Sequence, residues 1–310
     1  MPDEDTEARR SATAIGDVAP GPAVVALGGG HGLAVTLEAI RQYAGLITAV
    51  VSVADDGGSS GRLRAADARL PAPGDVRRCL SALAATDSAL GRALEHRFAV
   101  GELAGHPLGN LLIAGLADQG GDFGAAVHEV ARLIGAVGRV LPATSEPVTL
   151  VADLVGGGRA EGQVAVQGSS GVSHVAVVPA EPRTDPAVPA VILAADQVVM
   201  GPGSLFTSVL AAASVPAVRE AIAATAARRV YVANLCPQVP ETAGLSVGDH
   251  VEALRDHGIS VDVVVGPPGS LRGLAGVDAP AIQVVEAQVT ADRGTKHDPA
   301  LLAAVLAGLC

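Results

Sequence analysis

From residue 23 onward the apolar positions fall into short continuous runs, most of them closed by glycine or polar residues. Residues 23–27 (AVVAL) and 46–53 (LITAVVSV) are rich in β-branched side chains and do not alternate. Such runs read as strands buried on both faces, as in a parallel sheet covered by helices. Residues 33–43 between them have helical spacing, so the chain starts as strand, glycine turn, helix, strand. Residues 75–83 read as a helix, and 89–134 as mostly helical with a break at Gly105-His106-Pro107. Parallel-type strands return at 197–200, 230–233 and 261–265, with helices expected at 246–257 and 299–309.

Two stretches depart from this rhythm. Residues 54–73 carry glycine and charge with no apolar period and read as a long loop; loops of that length inside a domain are often functional. Residues 148–178 hold short alternating segments (VTLVADLV, GQVAVQG, VSHVAVV), read as antiparallel strands, so a small β subregion at about 147–178 is inserted in an α/β frame. The expected organisation is a disordered tail at 1–22 followed by one domain at 23–310. The tail mixes Asp, Glu and Arg and has no apolar core of a secretory signal.

Composition narrows the classes. The net charge is −11 and aromatics are 2%, which argues against a nucleic-acid surface. No apolar run reaches the roughly 18–20 residues of a spanning helix, so no membrane association is expected. The three cysteines are far apart and lack a CxxC pair, which points to a reduced, cytoplasmic protein without a zinc site.

In a parallel sheet the carboxyl ends of the strands share one edge, where ligands bind. Strand ends gather Gly28-Gly29-Gly30-His31-Gly32, Asp55-Asp56-Gly57-Gly58-Ser59-Ser60, Gly201-Pro202-Gly203-Ser204 and Asn234 on that edge. The first turn has Leu33 where a dinucleotide fingerprint has its third glycine, and no Walker lysine exists, so a phosphate turn is favoured over an NAD site. Asp55 and Asp56 suit a ribose hydroxyl or Mg²⁺ beside phosphates; ordinary turn chemistry is the plain alternative. Arg62, Arg64, Arg69, Arg77 and Arg78 cluster nearby, and guanidinium forks suit anions. No catalytic nucleophile is legible.

The motifs GGGHGL (28–33), TAVVSVADDGGSSGRLR (48–64), PGDVRRCLSALA (73–84), GHPLGNLLIAGL (105–116), ADQVVMGPGSLFTS (195–208) and ARRVYVANL (227–235) occur in order. Together they resemble the YvcK/CofD-like family, specifically its YvcK branch, the gluconeogenesis factors. The resemblance implies a Rossmann-like three-layer α/β/α fold and binding of a UDP-sugar such as UDP-N-acetylglucosamine. It also implies a regulatory role in cell shape and peptidoglycan precursor supply on gluconeogenic carbon, exerted on a sugar-amine synthase or another cell-wall precursor enzyme. The alternative it offers is a CofD-type Mg²⁺-dependent transferase acting on a nucleoside-diphosphate-activated, phospholactate-like substrate; whether the chain is an enzyme stays open. A homodimer is expected.

The candidate ligand residues are Gly29, Gly30, His31, Gly32, Asp55, Asp56, Ser59, Ser60, Arg62, Asp75, Arg77, His106, Asn110, Gly201, Gly203, Ser204, Thr207, Asn234 and Lys296, with Asp55 and Asp56 as the Mg²⁺ pair. Gly29, Gly30 and His31 are expected at the diphosphate, and Asn110, Ser204 and Thr207 at uracil or sugar hydroxyls. Three positions depart from the family pattern. His31 replaces a threonine, Arg78 an asparagine, and Pro240 a glycine in the Asn234…Gln238-Val239-Pro240-Glu241-Thr242 stretch. Lys296 corresponds to the family's C-terminal basic residue.

Overall fold

The computed structural model describes residues 21–271, 274, 282–291 and 296–310; most of the expected disordered tail lies outside them. The centre is a seven-stranded sheet of β1 (Ala23–Gly28), β2 (Leu46–Val51), β3 (Arg139–Pro142), β7 (Gln197–Met200), β8 (Arg228–Val232), β9 (Val263–Gly266) and β10 (Gln283–Glu286), in the order β10-β9-β8-β7-β1-β2-β3. Every pairing in it is parallel. The unbroken apolar runs follow from this: Val24, Val25, Ala26 and Leu27 are buried on both faces, as are all of Val263–Gly266.

The chain runs outward from β1 through β2 to β3, then returns to the other side of β1 with β7. The order therefore reverses between β1 and β7, and a crevice opens beyond their carboxyl ends. Helices α1 (Gly30–Ile40), α2 (Gly58–Ala66), α3 (Gly74–Leu83), α4 (Ala89–Ala93), α5 (Leu108–Gly120) and α6 (Phe123–Leu133) precede β3. Helix α1 packs on α3 and on the C-terminal helix Pro299–Ala307. The frame is the expected α/β architecture.

Helix α2 lies inside the segment expected to be loop. Its only buried residues are Ser59 and Ser60, so it shows no apolar period. The inserted subregion is a separate antiparallel sheet, β5-β4-β6, from β4 (Thr149–Leu154), β5 (Gly158–Glu161) and β6 (Val172–Val178). The alternating QVAVQ, expected as a strand, is helix α7 (Gln163–Gln167). Asp56 decides this: its carboxylate accepts the Val164 N–H at 2.9 Å, capping the turn from far along the chain. The sheet is tied to the frame by the Val175 N–H, which donates to His257 Nε2 at 2.9 Å.

After β7, residues Leu205–Leu210 wind as a π-helix, wider than an α-helix and a form frequent at functional sites. They lead into Pro216–Ala224 through buried residues. No single helix among the described residues is long and apolar enough to cross a membrane.

Candidate functional site

A cavity of about 460 Å³ opens at the switch point. Its floor is the turn after β1. Gly28 and Gly30 have φ of +146° and +68°, and a Cβ at Gly32 would lie 2.0 Å from the Pro202 carbonyl oxygen. The first turn thus meets the turn after β7 backbone to backbone, a contact only glycine permits. The Thr36 hydroxyl strengthens it by donating to the Gly201 carbonyl at 2.8 Å.

Twelve of the expected residues border this cavity: Gly29, Gly30, His31, Gly32, Asp55, Ser59, Ser60, Asp75, Arg77, Asn110, Gly203 and Ser204. The first βα turn, the start of α2, α3, α5 and the turn after β7 all reach it, although they are spread along the chain.

Seven expected residues lie elsewhere. Asp56 turns to α7, so the carboxylate that shares the cavity wall with Asp55 is Asp75. Asn234 clasps Gly203 with both ends of its amide, accepting from its N–H and donating to its carbonyl, each at 2.8 Å. Thr207 gives its N–H and hydroxyl to Glu241. Gly201 lies behind the turn, with its carbonyl bound by Thr36. His106 is buried behind Ser59, with Nδ1 at 2.7 Å from the Ser59 oxygen. Arg62 is exposed against Gly105, and Lys296 is exposed outside the cavity wall.

A buried chain of contacts holds the α3–α5 side in place. The Asn110 amide donates to Ser59 at 3.0 Å, Arg77 donates to the Asn110 carbonyl oxygen at 3.5 Å, and Arg77 pairs with Glu95 at 3.1 Å. Arg77 is only 2% exposed, so its fork is fixed before any ligand arrives. Burial, with Arg62 and Arg97 nearby, holds His106 below the usual histidine value.

The electrostatics are cationic on the α3 side. The Arg78 charge, then partial burial, hold His31 below the ordinary histidine range; Arg77 and Lys296 add to this and Glu95 opposes it. Asp75 is pushed above the usual carboxylate value, chiefly by burial and further by Asp55. Arg78, 2.8 Å away, and the Gly30 N–H oppose that shift. The carboxylate of Asp75 thus already occupies an amide at the start of α1. Asp55 and Asp75 stand on one wall of the cavity, with Asp75 already paired to Arg78. Among the described residues no group of three or more His, Cys, Asp or Glu is placed to hold a metal ion.

Arg78, Arg97, Gln163, Gln167, Ser208 and Gln238 also border the cavity, beyond the ligand residues expected from the sequence. Arg78 stood in the arginine cluster and Gln238 in the departing loop, so both had a signal. Gln163 and Gln167 had none, because their segment reads as a strand.

The family model described as 2-phospho-L-lactate transferase CofD matches residues 24–289. A Mycobacterium tuberculosis (strain H37Rv) protein, provisionally named a gluconeogenesis factor, is 44% identical over 310 residues, covering 93% of this chain and 90% of its own. The gluconeogenesis factor of Bacillus subtilis (strain 168) is 38% identical over 238 residues, covering 76% and 75%. The crystal structure of a UPF0052 family protein from Bacillus halodurans superposes with a TM-score of 0.83 at 34% identity, covering 92% of this chain and 98% of that one.

Proposed function

The chain belongs to the CofD family, among the gluconeogenesis factors, and from that premise we propose that the switch-point cavity binds a UDP-sugar of the UDP-N-acetylglucosamine type. One observation carries the reading: Arg77, Arg78, Arg97 and His31 face the same cavity as the glycine turn after β1. One buried guanidinium fork, Arg77, and two further arginines beside backbone that tolerates close approach suit a diphosphate. The Asp55 and Asp75 carboxylates would hold Mg²⁺, whose chemistry when bound is to neutralise phosphate charge. The protein then acts as a regulator of cell shape and peptidoglycan precursor supply, reporting UDP-sugar level to a cell-wall precursor enzyme such as a sugar-amine synthase.

A thermal-shift titration tests the binding reading. UDP-N-acetylglucosamine, UDP-glucose, GDP and NAD are each added with and without Mg²⁺. A ligand at about 100 times its Kd adds roughly 2.7 kcal/mol to native stability, a shift of several degrees. A response selective for UDP-sugars without turnover supports the regulator, and no response to any UDP-sugar overturns it.

The Asp55–Asp75 pair also favours a second reading, a Mg²⁺-dependent transferase on a nucleoside-diphosphate-activated substrate. There the arginines would stabilise charge on the transferred phosphoryl group. A Mg²⁺-dependent response to GDP, with metal-dependent release of nucleotide from such a substrate, would select it.

A further inference from the structure

Outside the cationic side, the cavity has a wall of neutral amides. Gln163 and Gln167 stand four residues apart on α7, so both lie on one face of that short helix, and both border the cavity. Gln238 borders it as well, and its Oε1 is buried without a hydrogen-bond partner. Its backbone is fixed, its N–H donating to Thr242 Oγ1 at 2.9 Å and its carbonyl accepting the Thr242 N–H at 2.7 Å. The three glutamines converge through one element. Helix α7 packs on Leu205–Leu210, and Glu241, just beyond Gln238, bonds the N–H groups of Phe206 and Thr207 in that same segment.

A buried carbonyl oxygen without a donor costs free energy until a donor reaches it, and Gln238 stands at the cavity wall. We propose that this wall is the subsite for the uncharged, hydroxyl-rich sugar of the bound nucleotide sugar, and that the inserted β subregion therefore sets sugar specificity. The inference rests on the UDP-sugar reading above and names the part of the ligand that the insertion contacts. Side-chain amides both donate and accept, which matches hydroxyl and acetamido groups. Among the described residues His31 is the one ring bordering the cavity, and it belongs to the cationic side, so the wall offers a base no stacking partner.

The test compares the wild type with Q163L/Q167L and with Q238L, titrating UDP and UDP-N-acetylglucosamine separately by calorimetry. Helix α7 is held through a backbone N–H, so its glutamines can change without releasing it. Unchanged melting of the unliganded variants verifies this, and Q238L stands as an independent probe should the double variant melt lower. The expected result is UDP affinity as in the wild type with UDP-N-acetylglucosamine binding weakened roughly tenfold. Equal weakening of both ligands, or of neither, overturns the proposal. A wild type that binds neither overturns the UDP-sugar reading itself.

Discussion

The turns after β1 and β7 look alike in sequence, each a glycine cluster between a buried strand and a helix, yet each handles its helix N-terminus differently. After β1, one α1 amide is met by Asp75, whose side chain is 14% exposed at the cavity and shared with Arg78. After β7, Glu241 fills the helix start from within. It is 2% exposed and accepts from the Phe206 N–H at 2.8 Å, the Thr207 N–H at 3.0 Å and the Thr207 hydroxyl at 3.1 Å, with Ser204 adding a further bond. A helix start attracts anions in either case. One is left open at the cavity and the other is sealed, so the diphosphate proposed above would meet the first turn, with the second as its support.

Breaking the sealed turn has the largest expected effect. Glu241→Ala leaves two buried N–H groups and a hydroxyl without their acceptor, at a cost of about 3 kcal/mol. That is a large share of the roughly 5–15 kcal/mol that holds an ordinary domain. Urea titration reads it as a lower midpoint. If the midpoint is unchanged and diphosphate affinity rises, the second helix start is an anion port and the contrast between the turns collapses.

Both turns were legible in the sequence because buried parallel strands and glycine punctuation are local signals. The fillers of the turns were not legible as such. Asp75 stood in the candidate set, but nothing local joins it to Gly30. Glu241 read as one more loop residue, although it is the internal anion of a helix that starts 36 residues earlier at Leu205. The same limit explains Asp56 and Asn234. Residue type and strand-end position marked them as polar groups at the site edge, but only the tertiary arrangement shows them spent on Val164 and Gly203. Helix α2 escaped notice because its buried residues are serines, and α7 because five residues of alternation describe a strand as well as a helix held by a distant cap.

The open turn predicts a pH dependence of stability. An unfolded aspartate titrates near 3.9, and the folded Asp75 titrates higher, chiefly through burial. Between those values the native state holds a proton that the unfolded state has lost, so stability falls as pH rises through that window and stays reduced above it. Asp75→Asn removes the penalty. Its melting temperature, relative to wild type, should climb as pH is raised from below about 4 towards neutrality, less whatever the lost Arg78 pair contributes. Any Mg²⁺ enhancement of ligand binding should vanish in the same variant. A difference that does not vary with pH would mean that burial does not raise Asp75, and the open turn would lose its titrating group.

The smallest effect sharpens the contrast most, because it reads the open turn with ligand present. Arg78 above all, with partial burial, holds the His31 imidazole below the ordinary histidine range in the free protein. A diphosphate at the first turn offsets that positive charge and favours the imidazolium, so binding takes up a proton. By linkage, affinity must then rise as pH falls through the interval between the free and bound titrations, by roughly threefold for a partly exposed group. His31→Thr, which restores the residue usual in the resembled motif, should flatten that slope while leaving binding at pH above about 7.5 nearly unchanged. Arg78→Asn should move the wild-type inflection to higher pH, because the largest depressing charge is gone. Calorimetric Kd values across pH for the three proteins would measure both effects. A slope that survives His31→Thr would place the titrating group outside the first turn, and the diphosphate with it.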